Sequence, residues 1–197
     1  MKGCANYWKC ACVILRNNDI DLEFYKEAEK ALNESDWQSF EANIIKNLQT
    51  RIQEQQQKQK QHGFYFSPLY PSSETSILAE IYHYKKDSDN LFEIVKSNID
   101  LLRKYESLLM PHYTNEYLDQ YRKKIDQLIA ARGRKNYQAA VPYAKTVKKL
   151  YMDILHKPDG WTQYITNLRR KNKTLRAFQE EFARLCNTQK RNRDAFL

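Results

Sequence analysis

The stretch TNEYLDQYRKKIDQLIA, residues 114–130, decides the fold class of this chain. Its apolar residues recur every three or four positions and fall on one helical face, at Tyr117, Leu118, Tyr121, Ile125, Leu128 and Ile129. The stretch therefore predicts an amphipathic α-helix that begins near Thr114. Gly133 lies just beyond it and predicts a C-terminal cap, with Arg132 in the last turn.

The same spacing recurs along most of the chain. Further helices are predicted from Asp19 or Asp21, from a capping box at Ser35, from Ser73 or Thr75, from Ser88 or Asp89, and around residues 137–155, 161–168 and 175–185. We expect a turn at Pro158-Asp159-Gly160 and a break near residues 172–174. The chain has only 4 Gly and 5 Pro, which fits long helices better than many-turned β architectures.

The predicted fold is all-α, built from stacked antiparallel helical hairpins in an α-solenoid-like array or an irregular bundle. Three bulky residues, Trp37, Leu91 and Trp161, each follow a short polar turn and open a helix, without a fixed period. One hairpin cannot bury its apolar face alone, so its neighbours must stack on it. We predict an irregular Cys-containing N-terminal segment at 1–18, a hairpin with a polar Gln-rich end at 19–62, an aromatic and proline-rich loop at 63–72, a helical-repeat-like region at 73–188 and a frayed tail at 189–197.

About half of the chain resembles the helical, tetratricopeptide-like region of bacterial SWIM-type zinc-finger proteins. The stretches that carry the resemblance are LAEIY at 78–82, AARGRKNY at 130–137, VKKLY at 147–151, WTQYI at 161–165 and LRAFQEEF at 175–182. The resemblance implies a helical array that is attached to a zinc module in those proteins. It implies no activity.

The zinc pattern of that family, C-x-C followed by C-x-H, is incomplete here. Cys10-Ala11-Cys12 matches its first half, but no histidine has a cysteine two residues before it. Two interpretations of the N-terminal cysteines are open. Cys4, Cys10 and Cys12 supply three thiolates to a zinc ion, or they are free thiols in a weakly ordered segment.

Positive charge is concentrated in the last third of the chain. Residues 132–197 hold 16 of the 33 Lys and Arg residues but 5 of the 24 Asp and Glu residues, a local net charge of +11 against +9 for the whole chain. The candidate contacts to a partner are Arg132, Arg134, Lys135, Lys145, Lys148, Lys149, Arg169, Arg170, Lys173 and Arg176. Three of them, Arg169, Lys173 and Arg176, share a face if their helix is continuous.

Three interpretations of these basic residues are open. They form the solvated face of a scaffold helix, a nucleic-acid surface or a surface for an acidic protein. In the second case, Tyr137, Tyr143 and Tyr164 are candidates for stacking on bases.

The sequence carries no pattern typical of catalysis. The four histidines are single and scattered, and no Gly-rich phosphate loop occurs. No apolar stretch approaches the roughly 20 residues that span a bilayer, and the cysteines indicate no disulfide framework, so we expect a cytoplasmic protein. We predict a non-enzymatic helical-repeat interaction scaffold that binds a protein partner and needs no cofactor. The alternative is a nucleic-acid-associated protein that uses the C-terminal basic face.

Overall fold

A computed structural model describes residues 20–61 and 71–186, and the chain divides into two compact units between Leu108 and Leu109. The described residues form helices and turns, with no strand among them, so the predicted all-α class is confirmed. The predicted segments at 1–18 and 189–197, and nearly all of the loop at 63–72, lie outside the described residues.

The N-terminal unit holds helices α1 (Leu22–Ala31), α2 (Glu34–Gln61), α3 (Ser73–Tyr84), α4 (Ser88–Val95) and α5 (Ile99–Lys104), and the short α6 (Glu106–Leu109) crosses the division. Asp21 caps α1 by accepting the Phe24 N–H at 2.7 Å. The capping box predicted at Ser35 is wrong by two residues. Asn33 caps α2 by accepting the Asp36 N–H at 2.9 Å, and Ser35 lies inside the first turn. Asn is as good an N-cap as Ser and comes first.

The cap of α4 also lies earlier than predicted. Asp87, rather than Ser88 or Asp89, accepts the Asn90 N–H at 3.1 Å. The reason lies in the end of α3, where Lys86 takes a left-handed φ of 58°. The Asp87 N–H then donates back to the Tyr82 carbonyl at 2.9 Å, so the first residue free to cap the next helix is Asp87.

The core of the N-terminal unit is mainly aromatic and aliphatic. Its fully buried side chains include Tyr25, Phe40, Ile44, Leu48, Leu78, Ile81, Leu91 and Leu102. The Tyr25 ring meets the Trp37 ring edge-on at 5.0 Å, and its hydroxyl donates to Glu41, which also pairs with Lys85 at 2.6 Å. Burial and the bond to Glu41 both raise the pKa of Tyr25.

The Gln-rich end of α2 is helical to Gln61, and it is not purely solvated. Gln55 Nε2 donates to the Glu74 carboxylate at 3.0 Å. Glu74 lies in the first turn of α3 and is only 7% exposed. Burial opposes its charge, but hydrogen bonds from its own N–H, Gln55 and Ser73 outweigh burial and lower the pKa of Glu74.

We expect Glu74→Gln to lower the free energy of unfolding by about 1–2 kcal/mol at pH 7, because it removes a charge-assisted hydrogen bond. The pKa of Glu74 is lowered by folding, so its contribution is present above about pH 4.3, the unfolded value, and is lost as pH falls through the folded pKa. Urea unfolding at pH 7 and pH 3 measures this. The deficit of the variant should shrink at pH 3, and a deficit that does not change with pH would contradict the assignment.

The C-terminal unit holds α7 (Thr114–Ala130), α8 (Arg134–Lys149), α9 (Pro158–Lys171) and α10 (Arg176–Cys186), and α8 continues into a π-helical turn over Leu150–Ile154. The helix predicted from Thr114 is confirmed as α7. Helices α7 and α8 pack closely because Ala140 and Ala144 of α8 are small and fully buried. The rings of Tyr121 and Tyr143 meet across this contact at 5.5 Å.

Two predicted turns of this unit differ in the structure. Gly133 is the N-cap of α8 with a φ of 87°, not the cap of α7, because Arg132 already takes a left-handed φ of 55° after α7 ends. Pro158 begins α9, so the predicted turn at residues 158–160 is the first helical turn. Proline suits this position because it lacks an N–H and fixes φ. The predicted break after Lys171 is confirmed.

The three residues predicted to open helices have one structural position in common. Trp37, Leu91 and Trp161 are each the fourth residue of their helix, and each is buried. A bulky apolar residue one turn into a helix packs against the chain that enters it. The stacking of the hairpins into a solenoid stays a prediction.

Candidate functional site

Helix α8 has one buried face and one basic face. Its sequence RKNYQAAVPYAKTVKK contains Lys and Arg but no acidic residue. The buried residues are Tyr137, Ala140, Tyr143, Ala144 and Val147. At 3.6 residues per turn, Arg134, Lys145 and Lys149 fall together on the opposite side, and Lys135 lies beside them. All four are exposed, and we call them the basic stripe.

The two ends of the basic stripe differ in their ion pairs. Lys145 and Lys149 are one helical turn apart, and neither forms a salt bridge with another described residue. At the other end, Arg134 Nη1 lies 3.0 Å from Glu181 Oε1 and Nη2 contacts Glu180. Arg134 and Lys149 are the first and last of the 16 residues of α8, and the 15 rises between them span about 22 Å along the helix. Lys135 also forms no salt bridge with a described residue, so the three lysines carry the unpaired positive charge of the stripe and Arg134 does not.

Aromatic packing holds α10 beside the N-terminal end of α8. The Phe178 ring meets Tyr137 at 5.8 Å and Phe182 at 4.4 Å, and both phenylalanines are fully buried. This contact brings Glu180 and Glu181 to Arg134. The guanidinium of Arg134 lowers the pKa of Glu180, and Glu180 in turn raises the pKa of Arg134.

Two other predicted contact residues of this region lie off the stripe. Lys148 is partly buried, and its Nζ donates to the Leu185 carbonyl at 3.4 Å. Arg132 is exposed in the connection between α7 and α8, where its carbonyl accepts from Asn136 Nδ2. Lys148 therefore serves the packing of α10 on α8.

The third predicted group does not form one helical face, because α9 ends at Lys171. Arg169 Nε donates to Gln179 Oε1 at 2.9 Å, and Gln179 Nε2 returns a bond to the Arg169 carbonyl at 2.9 Å. Arg170 bonds Asn167 at 3.1 Å, Lys173 lies exposed in the turn, and Arg176 begins α10. Arg169 thus joins α9 to α10, and the others are dispersed.

Of the three tyrosines predicted to stack on bases, Tyr137 and Tyr143 are buried and Tyr164 is partly buried. Tyr137 is 4% exposed and Tyr143 is 8% exposed, and both pack in the core of the unit. The Tyr164 ring lies under the Arg122 guanidinium, at 5.0 Å. Base stacking by Tyr137 and Tyr143 is therefore not available in this structure, and the Tyr164 ring already has Arg122 against it.

Arg122 forms a cluster that the sequence patterns did not reveal. Its guanidinium lies 5.3 Å from the Tyr151 ring and 5.0 Å from the Tyr164 ring, and it donates to the Tyr151 hydroxyl. Burial and the charge of Asp126 raise the pKa of Tyr164, while Arg122 opposes the shift. Because these residues come from α7, the π-helical turn and α9, no local spacing brings them together. The cluster joins the three elements.

Neither a cluster of metal ligands nor a membrane-spanning helix occurs among the described residues. Within 20–61 and 71–186, His, Cys, Asp and Glu side chains form no group of three that could hold a metal ion. Cys4, Cys10 and Cys12 lie outside these ranges, so their metal binding stays an open prediction. In the same ranges, none of the helices combines the length and apolar content needed to cross a bilayer.

Comparison with models of protein families, with curated proteins and with solved structures finds no match to this chain. The resemblance to the SWIM-type helical region therefore stays a prediction.

Proposed function

We propose that this chain is a non-enzymatic helical interaction protein whose C-terminal unit binds the phosphate backbone of nucleic acid through the basic stripe of α8. The observation that carries the proposal is the solvent face of α8, where Lys145 and Lys149 are exposed and form no salt bridge with a described residue. Phosphates attract such lysines without regard to base sequence. We also propose that the protein is cytoplasmic.

The residues around Lys145 and Lys149 indicate which form of nucleic acid suits the basic stripe. The tyrosines of the same helix, Tyr137 and Tyr143, are buried, so a single strand gains no stacking platform from α8. Lysine is a point charge on a flexible stem and positions a phosphate without reading a base. Contacts to the backbone of a duplex, with a strong dependence on salt, therefore suit this surface best.

A protein partner, which the sequence predicts first, has less support in the described residues. Among them, the exposed large hydrophobic side chains are Tyr84 at 40% and Leu108 at 37%. The buried centre of a protein interface is depleted in charge and enriched in aromatic residues. The acidic surface of a protein stays an alternative ligand for the stripe, and the binding experiment separates the two.

We expect Lys145→Ala/Lys149→Ala to weaken binding to mixed-sequence double-stranded DNA or RNA and to reduce the slope of log K against log salt by about 2, about 1 for each lost phosphate contact. Fluorescence anisotropy between about 50 and 200 mM salt measures both quantities, since phosphate contacts lose much of their affinity over this range.

The matched control is Lys46→Ala/Lys58→Ala on α2, which removes two exposed lysines and the same charge. Equal losses in both double variants would assign binding to net charge and refute the stripe. An unmodified chain that binds no nucleic acid at about 50 mM salt would refute the proposed function. Retention on an acidic protein in that case would favour the protein alternative.

A further inference from the structure

Two arginines from different helices converge on one carboxylate at the N-terminal end of the basic stripe. Arg134 of α8 contacts Glu180 Oε2 through Nη2, and Arg176 Nε lies 3.3 Å from Glu180 Oε1. Each carboxylate oxygen is therefore taken by a different guanidinium. The arrangement is that of an anion held between two cations, with the anion supplied by the chain itself.

This arrangement lies at the surface, where solvent and ligands reach it. The side chains of Arg134, Arg176 and Glu180 are 54%, 94% and 45% exposed. Exposed ion pairs contribute little stability, because water and salt screen them and long side chains lose freedom. Glu180 is therefore a weakly held occupant that another anion can displace.

Phosphate is the anion that fits this site best. The planar guanidinium presents its N–H groups as a fork that matches the oxygens of a phosphate, and two such forks offer more donors than one carboxylate accepts. Arg134 also belongs to the basic stripe, so a phosphate at this site lies in line with Lys145 and Lys149.

We propose that Arg134 and Arg176 form a phosphate-binding site that Glu180 occupies in the free protein, so that Glu180 competes with the phosphates of a bound nucleic acid. The effect on nucleic acid rests on the proposed function, whereas the site itself is testable with inorganic phosphate. Glu181 stays in place during the exchange, because its side chain is only 14% exposed and Gln138 also bonds it, at 3.2 Å.

The test is Glu180→Gln, which keeps the shape of the side chain and removes its charge. We expect affinity for double-stranded nucleic acid to rise about fivefold, because a competing surface ion pair is lost. The slope of log K against log salt should steepen by about 1. The charge-matched control is Glu116→Gln on α7, exposed in the same unit, which should change affinity less than about twofold. Adding Arg176→Ala to Glu180→Gln should abolish the gain, which a purely structural role of Glu180 would not predict.

The outcomes separate this site from the proposed function. If the unmodified chain binds with a steep salt slope but Glu180→Gln and Glu116→Gln act alike, the competitor is refuted and the stripe stands. If neither the unmodified chain nor Glu180→Gln binds nucleic acid, the proposed function fails, and thermal stabilisation by inorganic phosphate decides the site. If phosphate stabilises Glu180→Gln saturably and the added Arg176→Ala removes that stabilisation, the site is supported. If phosphate stabilises all variants equally, the site is refuted.

Discussion

Replacing Phe178 with Ala is expected to lower the free energy of unfolding of the C-terminal unit by about 3–5 kcal/mol. Phe178 is fully buried, and its ring meets Phe182 at 4.4 Å and Tyr137 at 5.8 Å. The substitution removes the transfer free energy of the ring and leaves a cavity between α8 and α10.

Urea unfolding followed by circular dichroism measures the loss, and amide hydrogen exchange over α10 locates it. The control is Gln163→Ala on α9, whose side chain is exposed and which should change stability by less than about 0.5 kcal/mol. A loss below 1 kcal/mol for Phe178→Ala would mean that α10 does not depend on this contact. Amides of α10 should exchange faster in the variant, since fewer buried contacts hold the helix.

The elements of the fold follow from the sequence because their signals are local. The apolar spacing of residues 114–130 specifies one buried face, and the structure has α7 there. The errors lie at the ends of helices. Asn33 and Asp87 cap where Ser35 and Ser88 or Asp89 were predicted, because several good caps stand within a few residues and the preceding helix decides which one is free. A local pattern holds no information on where that helix ends to within a residue.

The sequence predicts which basic residues belong to the candidate site, but not which of them are neutralised by residues of other helices. The absence of acidic residues from α8 indicates a basic face, and Lys145 and Lys149 lie exposed on it. The sequence does not indicate that Glu180 and Glu181, more than 40 residues later, neutralise Arg134. That contact depends on the packing of α10 against α8. The Arg122 cluster escaped prediction for the same reason, since a cation between two rings from other helices has no local spacing.

Gly160 and Tyr151 are expected to be strongly coupled. A Cβ atom at Gly160 would lie 2.7 Å from Tyr151 Cε1 and 3.0 Å from Tyr151 Cδ1, closer than unstrained atoms approach. The ring cannot move away cheaply, because it is only 8% exposed, lies beside the Arg122 guanidinium at 5.3 Å and accepts a hydrogen bond from it. Overpacking of this kind costs about 1–3 kcal/mol.

Gly160→Ala therefore has two effects of opposite sign on the free energy of unfolding. Gly160 lies in the first turn of α9, and replacing a helical glycine by alanine ordinarily stabilises by up to about 1 kcal/mol. The clash with the Tyr151 ring is larger, so we expect a net loss of about 1–2 kcal/mol. In a Tyr151→Val background, which lacks the clashing ring atoms, the same substitution should stabilise the unit.

A double-mutant cycle measures the coupling directly. Urea unfolding of the unmodified chain, Gly160→Ala, Tyr151→Val and the double variant should give an interaction energy of about 2–3 kcal/mol, with the sign of Gly160→Ala reversed between the two backgrounds. Tyr151→Val costs stability by itself, but the cycle subtracts that cost. An interaction energy near zero would mean that the first turn of α9 adjusts to the added methyl group. A large value would show that the Arg122 cluster holds the Tyr151 ring in place, since a ring free to turn would relieve the contact at little cost.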